Sequence, residues 1–178
     1  MTEKHEGDGV LSNSQLEATI RVACKARFGS LDTGFLCQTV SALNPKTPIC
    51  VSRADSITAV VAQLRSNAVG CVLVVESDGA LAGIFSERDL VVKVIGTAAD
   101  VMSHPVERYM TLDPVAESPD ITVAFALNLM SLGGFRHLPL IDDARRPIGL
   151  LSVKDVVDYL VMRMTEDLLT FGEQGIEV

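Results

Sequence analysis

Ser86, Asp89, Ser152 and Asp155 are the side chains on which chemistry could rest, because their setting occurs twice. Gly83-Ile84-Phe85-Ser86-Glu87-Arg88-Asp89 returns 66 residues later as Gly149-Leu150-Leu151-Ser152-Val153-Lys154-Asp155. Each copy is a short apolar run ending in serine and opening an amphipathic stretch, the pattern of a strand delivering the chain into a helix start. A helix start has unpaired backbone N–H groups and partial positive charge, so a hydroxyl, carboxylate or phosphate is at home there. An aspartate in the first turn can accept both vicinal hydroxyls of a ribose, and the serine before it can meet a ribose hydroxyl or a phosphate. The same S-x-x-D spacing is nearly a capping box, which stabilises a helix with no ligand at all. The recurrence of the motif with its glycine and hairpin favours binding over capping alone.

The elements that position these corners repeat as well. Without a gap, the offset of 66 aligns Pro48 with Pro114, Ser52 with Ser118, and the stripe Ile57, Val60, Val61, Leu64 with Val123, Ala126, Leu127, Met130. Val72-Leu73-Val74-Val75 falls on Leu138-Pro139-Leu140-Ile141. Each copy therefore reads strand, helix, strand, turn, strand, helix. In the first copy these are Ile49 to Val51, Ser56 to Ser66, Cys71 to Val75, Leu81 to Phe85 and Glu87 to Ile95, with a turn at Ser77-Asp78-Gly79. In the second the turn is Asp142 to Pro147, and the last helix is longer, with Val156, Val157, Leu160, Val161, Met164 and Leu168 at helical spacing. The expected organisation is a disordered start and an N-terminal helix (Leu16, Ile20, Ala23, Cys24, Phe28) in 1–34, repeats at 35–96 and 106–169, a linker at 97–105 and a tail at 170–178. A unit of about sixty residues buries too little surface to be comfortable alone, so the copies should pack face to face.

Composition narrows the partners. The chain of 178 residues is 48% hydrophobic and 21% charged, with 4% aromatic residues, no Trp and a formal net charge of −8. That charge and the scarcity of stacking side chains disfavour nucleic acid and an anionic membrane. No apolar run is long enough for a bilayer span and no signal peptide is read. Cys24, Cys37, Cys50 and Cys71 show no metal spacing and pair with none of the three histidines, so zinc and other metals are not expected. The expectation is a cytoplasmic protein with reduced, core-forming cysteines.

A tandem βαββα unit whose copies each end in G-h-x-S-x-x-D resembles the cystathionine β-synthase (CBS) domain pair, or Bateman module, over roughly Phe35 to Tyr159. Val106-x-x-Tyr109-Met110-Thr111 and Arg136-His137-Leu138-Pro139-Leu140-Ile141-Asp142 extend the likeness. The resemblance implies an α/β (α+β) fold with pseudo-twofold symmetry and two clefts between the repeats. It implies regulatory binding of AMP, ADP, ATP or, less often, S-adenosylmethionine or NAD(H), no catalysis, no resident cofactor, and a homodimer paired through helices. It further implies a stand-alone module signalling to an enzyme or transporter. One cleft would set Asp155, Ser152 and Leu150 against Asn44, Ile49, Val69 and Gly70, with Arg136 and His137 reaching the phosphates. The other would set Asp89, Ser86 and Ile84 against Met110, Val115 and Phe135, and would have to rely on Arg88 or the helix N-terminus for a phosphate. Because Gly70 and Cys71 replace Arg136 and His137 in the second, the Asp155 cleft is the expected nucleotide site. The competing reading is an interaction or dimerisation scaffold with empty clefts. An enzyme ranks last, since no phosphate loop, nucleophile elbow or dinucleotide fingerprint is present.

Overall fold

A register that repeats at 66 residues would mean two copies of one unit, and the hairpins show it pair by pair. The computed structural model describes Ser14, Ala18 and residues 34–96 and 100–162. The helix read over Leu16 to Phe28, and Met164 and Leu168 of the last helix, lie outside the described residues. Hairpin β2 (Cys71–Val75) and β3 (Leu81–Ser86) pairs Cys71 with Ser86 through Val75 with Leu81, with a bulge after Val74. Hairpin β5 (His137–Ile141) and β6 (Pro147–Ser152) pairs His137 with Ser152 through Ile141 with Pro147, with a bulge after Leu140. Adding 66 to every partner of the first hairpin gives the second, bulge included.

The first repeat opens on β1 (Cys50–Ser52), crosses over helix α2 (Ile57–Ser66) and returns parallel to β1 in β2. The apolar stripe of α2 buries Ile57, Val60 and Leu64, and Ser56 caps its start by accepting from the Ala59 N–H at 3.2 Å. In the second repeat the first strand shrinks to one parallel bridge, Glu117 to Leu140, and helix α4 (Val123–Gly133) is capped by Thr122. The linker and the opening of the second repeat do more than connect the halves. Val101, Val106 and Met110 are buried in the first core, and strand β4 (Thr111–Leu112) pairs with β3. Lys46, ahead of β1 within the first repeat, bridges Leu150 on β6 of the second. Each half thus closes the outer sheet edge of the other, and further bonds, such as the Leu81 N–H donating to the Arg145 carbonyl at 2.9 Å, also join the two α/β halves.

Two apolar cores result, one around Val60, Val72, Val74 and Phe85, the other around Val40, Leu138, Leu140 and Leu151. Phe85 and Leu151, 66 residues apart, are both 0% exposed. Burying such a side chain contributes about 1.5–3 kcal/mol, so both cores are substantial.

The closing helices differ. After β3, helix α3 (Glu87–Asp89) widens at once into a π-wound turn, Leu90–Val94, with the Ile95 N–H donating to the Leu90 carbonyl at 2.9 Å. The expected regular helix from Glu87 to Ile95 is therefore replaced by a looser one. After β6 an ordinary α-helix, α5, covers 153–162 within the described residues. Against it docks the short helix α1 (Gly34–Cys37), where Phe35 stacks on Tyr159 at 5.4 Å between ring centroids and Tyr159 donates to Gln38 at 2.8 Å. Among the cysteines, Cys71 is buried as expected, but Cys50 is exposed and Cys37 is disulfide-bonded, so a uniform set of reduced core thiols is not what forms. No helix among the described residues is long and apolar enough to cross a membrane.

Candidate functional site

Both recurring corners are capping boxes, and this decides which oxygen of each aspartate remains for other work. At the first corner the Ser86 N–H and Oγ donate to Asp89 Oδ2 at 2.9 and 2.6 Å, and the Asp89 N–H returns a bond to Ser86 Oγ at 3.4 Å. At the second, Ser152 N–H and Oγ donate to Asp155 Oδ2 at 2.9 and 2.5 Å. Oδ2 is thus committed to the helix start. A ribose could use only Oδ1, not both oxygens as the sequence suggested.

Oδ1 of Asp89 meets Lys93 Nζ at 2.6 Å and accepts from Thr111 Oγ1 at 3.4 Å, while Lys93 also donates to Thr111 at 3.2 Å. Oδ1 of Asp155 meets Lys46 Nζ at 3.0 Å. Burial pushes each carboxyl upward, but hydrogen bonds from lysine and serine outweigh it and hold both below the usual carboxylate range. Both are anions at neutral pH.

A cavity of about 440 Å³ opens on Asp89. Ile84, Val115 and Phe135 supply apolar walls, and Ser86, Arg88, Arg136 and His137 supply polar ones. That size and mixture suits a small organic ligand held by a few convergent polar groups. Gly70 completes the wall; a methyl group there would stand 3.4 Å from the His137 ring. The Arg136 side chain is exposed and makes no hydrogen bond or ion pair among the described residues, its backbone carbonyl accepting from the Val153 N–H at 3.1 Å, whereas the Arg88 side chain reaches the Gly134 carbonyl at 3.4 Å. Burial and the neighbouring Arg136 lower the pKa of His137 against the opposing pull of Asp155 and Glu87, which keeps its imidazole neutral. Cys71 lies behind the corner, its thiol pushed up to about 12 by burial and by Asp89 and Glu87, so it is an inert wall.

The expected grouping changes in three respects. Arg136 and His137, assigned by the resemblance to the Asp155 side, line the Asp89 cavity, although the start of β5 pairs His137 with Ser152 of the second corner. Met110, expected at the same cleft, is buried beneath Gly83 and is not among the cavity's lining residues. Asn44, left-handed at φ 48°, lines a separate cavity of about 260 Å³ with Pro45, Ile148 and Gly149. Ile49 and Val69 pack on the first core, and Leu150 is tied to Lys46 by backbone. Lys93, Thr111, Glu87 and Asp113 were not foreseen at the cavity; the Asp89–Lys93 spacing of four was the one readable signal. Among the described residues no group of His, Cys, Asp or Glu is placed to hold a metal ion.

Comparison with known proteins agrees with the geometry. Residues 40–96 and 98–162 each match the family model described as CBS domain. An uncharacterized 17.7 kDa protein of Acidianus ambivalens is 33% identical over 116 residues, 65% of this chain and 67% of that one. The crystal structure of a CBS-domain-containing protein from Agrobacterium tumefaciens has a TM-score of 0.64 at 31% identity, over 68% of this chain and 98% of that one. A CBS domain protein from Pyrobaculum aerophilum, complexed with AMP, shares the fold at a TM-score of 0.60 and 22% identity, over 66% of this chain and 88% of that one. With both repeats matched and their registers superimposable at 66 residues, the chain belongs to the CBS-domain family and carries a tandem pair, a regulatory and non-catalytic module.

Proposed function

We propose that this pair senses an adenosine-containing ligand in the Asp89 crevice and passes its occupancy to a partner protein. One observation carries the reading: an uncapped carboxylate oxygen, apolar walls and an uncommitted arginine converge on one cavity of about 440 Å³. Ribose hydroxyls would take Oδ1 of Asp89, the base would lie among Ile84, Val115 and Phe135, and a phosphate would meet Arg136 and Arg88. The AMP held by the Pyrobaculum aerophilum relative supports the ligand class. AMP, ADP, ATP, S-adenosylmethionine and NAD(H) remain the panel to test. Signalling requires the ligand to favour one state over another, not merely to bind.

Calorimetry and thermal shift with that panel test the reading. A ligand at 100 times its Kd stabilises the native state by about 2.7 kcal/mol, which raises Tm by roughly 5–10 °C in a chain of this size. Asp89→Ala is expected to weaken binding at least tenfold and Asp155→Ala to change it little, while Arg136→Ala should weaken AMP more than adenosine. The reverse ranking of the aspartates would return the site to the Asp155 corner. No response to any ligand would leave the scaffold reading. Exposed Val91 and Ile95, with Val157 and Val161 at the 66-related positions, support a homodimer paired through the closing helices, which sedimentation would detect.

A further inference from the structure

Asp89 is only 9% exposed, and a carboxylate so buried needs a compensating cation whenever the crevice holds no ligand. Lys93 supplies it, in the position an incoming hydroxyl would need: its Nζ stands 2.6 Å from Oδ1 and 3.2 Å from Thr111 Oγ1, and its side chain lines the cavity. Lys93 belongs to the π-wound turn Leu90–Val94, in which Val91 and Val92 are 61% and 69% exposed, and Ile95, just after it, is 64% exposed. A π-wound turn is uncommon and often marks a functional site. The second corner is wired differently. There the cation is Lys46, from a segment outside the corner's own helix, and Tyr159, at the place of Lys93, is pinned by Phe35 and Gln38. Only at Asp89 does the neutralising charge ride on the helix that presents an apolar face.

We infer that Lys93 is a tethered occupant of the crevice, competing with a ribose hydroxyl for Asp89 Oδ1, and that its displacement loosens the turn carrying Val91, Val92 and Ile95. This rests on the nucleotide reading of that crevice and adds the route by which occupancy reaches the surface. The displaced ammonium remains inside the cavity with Arg88 and Arg136, so a phosphate compensates it and a bare nucleoside does not. Lys93 therefore opposes adenosine more than AMP.

The test is Lys93→Met, which keeps the stem and removes the charge, measured by calorimetry with adenosine and AMP and by hydrogen exchange at the amides of residues 90–95. Adenosine should bind about 3–10-fold tighter to the variant, the worth of one ion pair, and AMP should gain less. Exchange in the turn should be faster in the ligand-free variant, and should rise in the wild type on adding adenosine. Lys46→Met should leave adenosine affinity unchanged. Equal or weaker adenosine binding by Lys93→Met, with wild-type binding intact, would overturn the competition alone. Failure of both proteins to bind either probe would overturn the nucleotide reading and the competition with it, whatever the exchange shows. Unchanged exchange in the ligand-free variant would overturn the clasp on the turn.

Discussion

The Asp89 and Asp155 corners share a hairpin register, a bulge, a capping box and a depressed carboxyl, yet they differ in what neutralises the acid and in what lies opposite. At Asp89 the counter-charge is local and faces a cavity bordered by Arg136; at Asp155 it comes from Lys46, whose own side chain is 73% exposed. Duplication has kept the scaffold and let the surroundings drift apart. Backbone hydrogen bonding restrains register, whereas the residues across a crevice answer only to what must bind there.

That contrast can be broken or sharpened by matched substitutions. The largest effect should come from the equivalent core positions. Phe85→Ala should cost about 3–5 kcal/mol and Leu151→Ala about 2–5 kcal/mol in urea unfolding, since both side chains are fully enclosed. A much smaller loss at either would show that one half contributes little to the common stability.

The paired glycines come next. A methyl group at Gly83 would stand 2.5 Å from Met110 Sδ and 3.0 Å from the Thr111 carbonyl, whereas at Gly149 its nearest neighbour is Leu140 Cδ1 at 3.0 Å. Gly83→Ala should therefore destabilise by about 1–3 kcal/mol, because a backbone atom cannot step aside, and Gly149→Ala by less. Equal melting temperatures for the two variants would remove this distinction.

Acid should act on both corners in the same direction. Each folded carboxyl lies below its ordinary value of 3.8, so its stabilisation is fully present above that pH and is lost as pH falls through the folded pKa. Asp89→Asn should flatten this acid limb more than Asp155→Asn, since Asp89 is the more enclosed. Stability measured by denaturant at several pH values below 5 gives the answer. The smallest effect is Lys46→Met, which should change stability by no more than about 1 kcal/mol because the lysine is mostly in water.

The repeated architecture was legible in the sequence because it rests on local signals: apolar alternation, Ser56 ahead of a helical stripe, Asp78-Gly79 between strands, and one fixed offset. Hairpins β2–β3 and β5–β6 fall within a residue of where those signals put them. The partition of side chains between crevices was not legible. Arg136 and His137 sit at the start of a strand, and nothing in linear spacing says which of two look-alike corners that strand start will face. Lys46 reaches Asp155 only through an exchange between halves, for which one chain offers no spacing rule. The π-wound turn escaped for another reason: Leu90, Val91, Val92 and Val94 are all apolar, so period cannot distinguish a regular helix from a wider one.

The exchanged edges carry a consequence of their own. Strand β4, from the second repeat, completes the sheet of the first, and Lys46 does the same in return. Either half made alone would expose a bare strand border at β3 or β6, and the handiest cover for it would be the corresponding piece of an identical molecule. Splitting the chain between residues 97 and 99 should thus yield not a lone folded half but a reciprocal embrace of two, with the internal symmetry of the present chain re-created between separate copies.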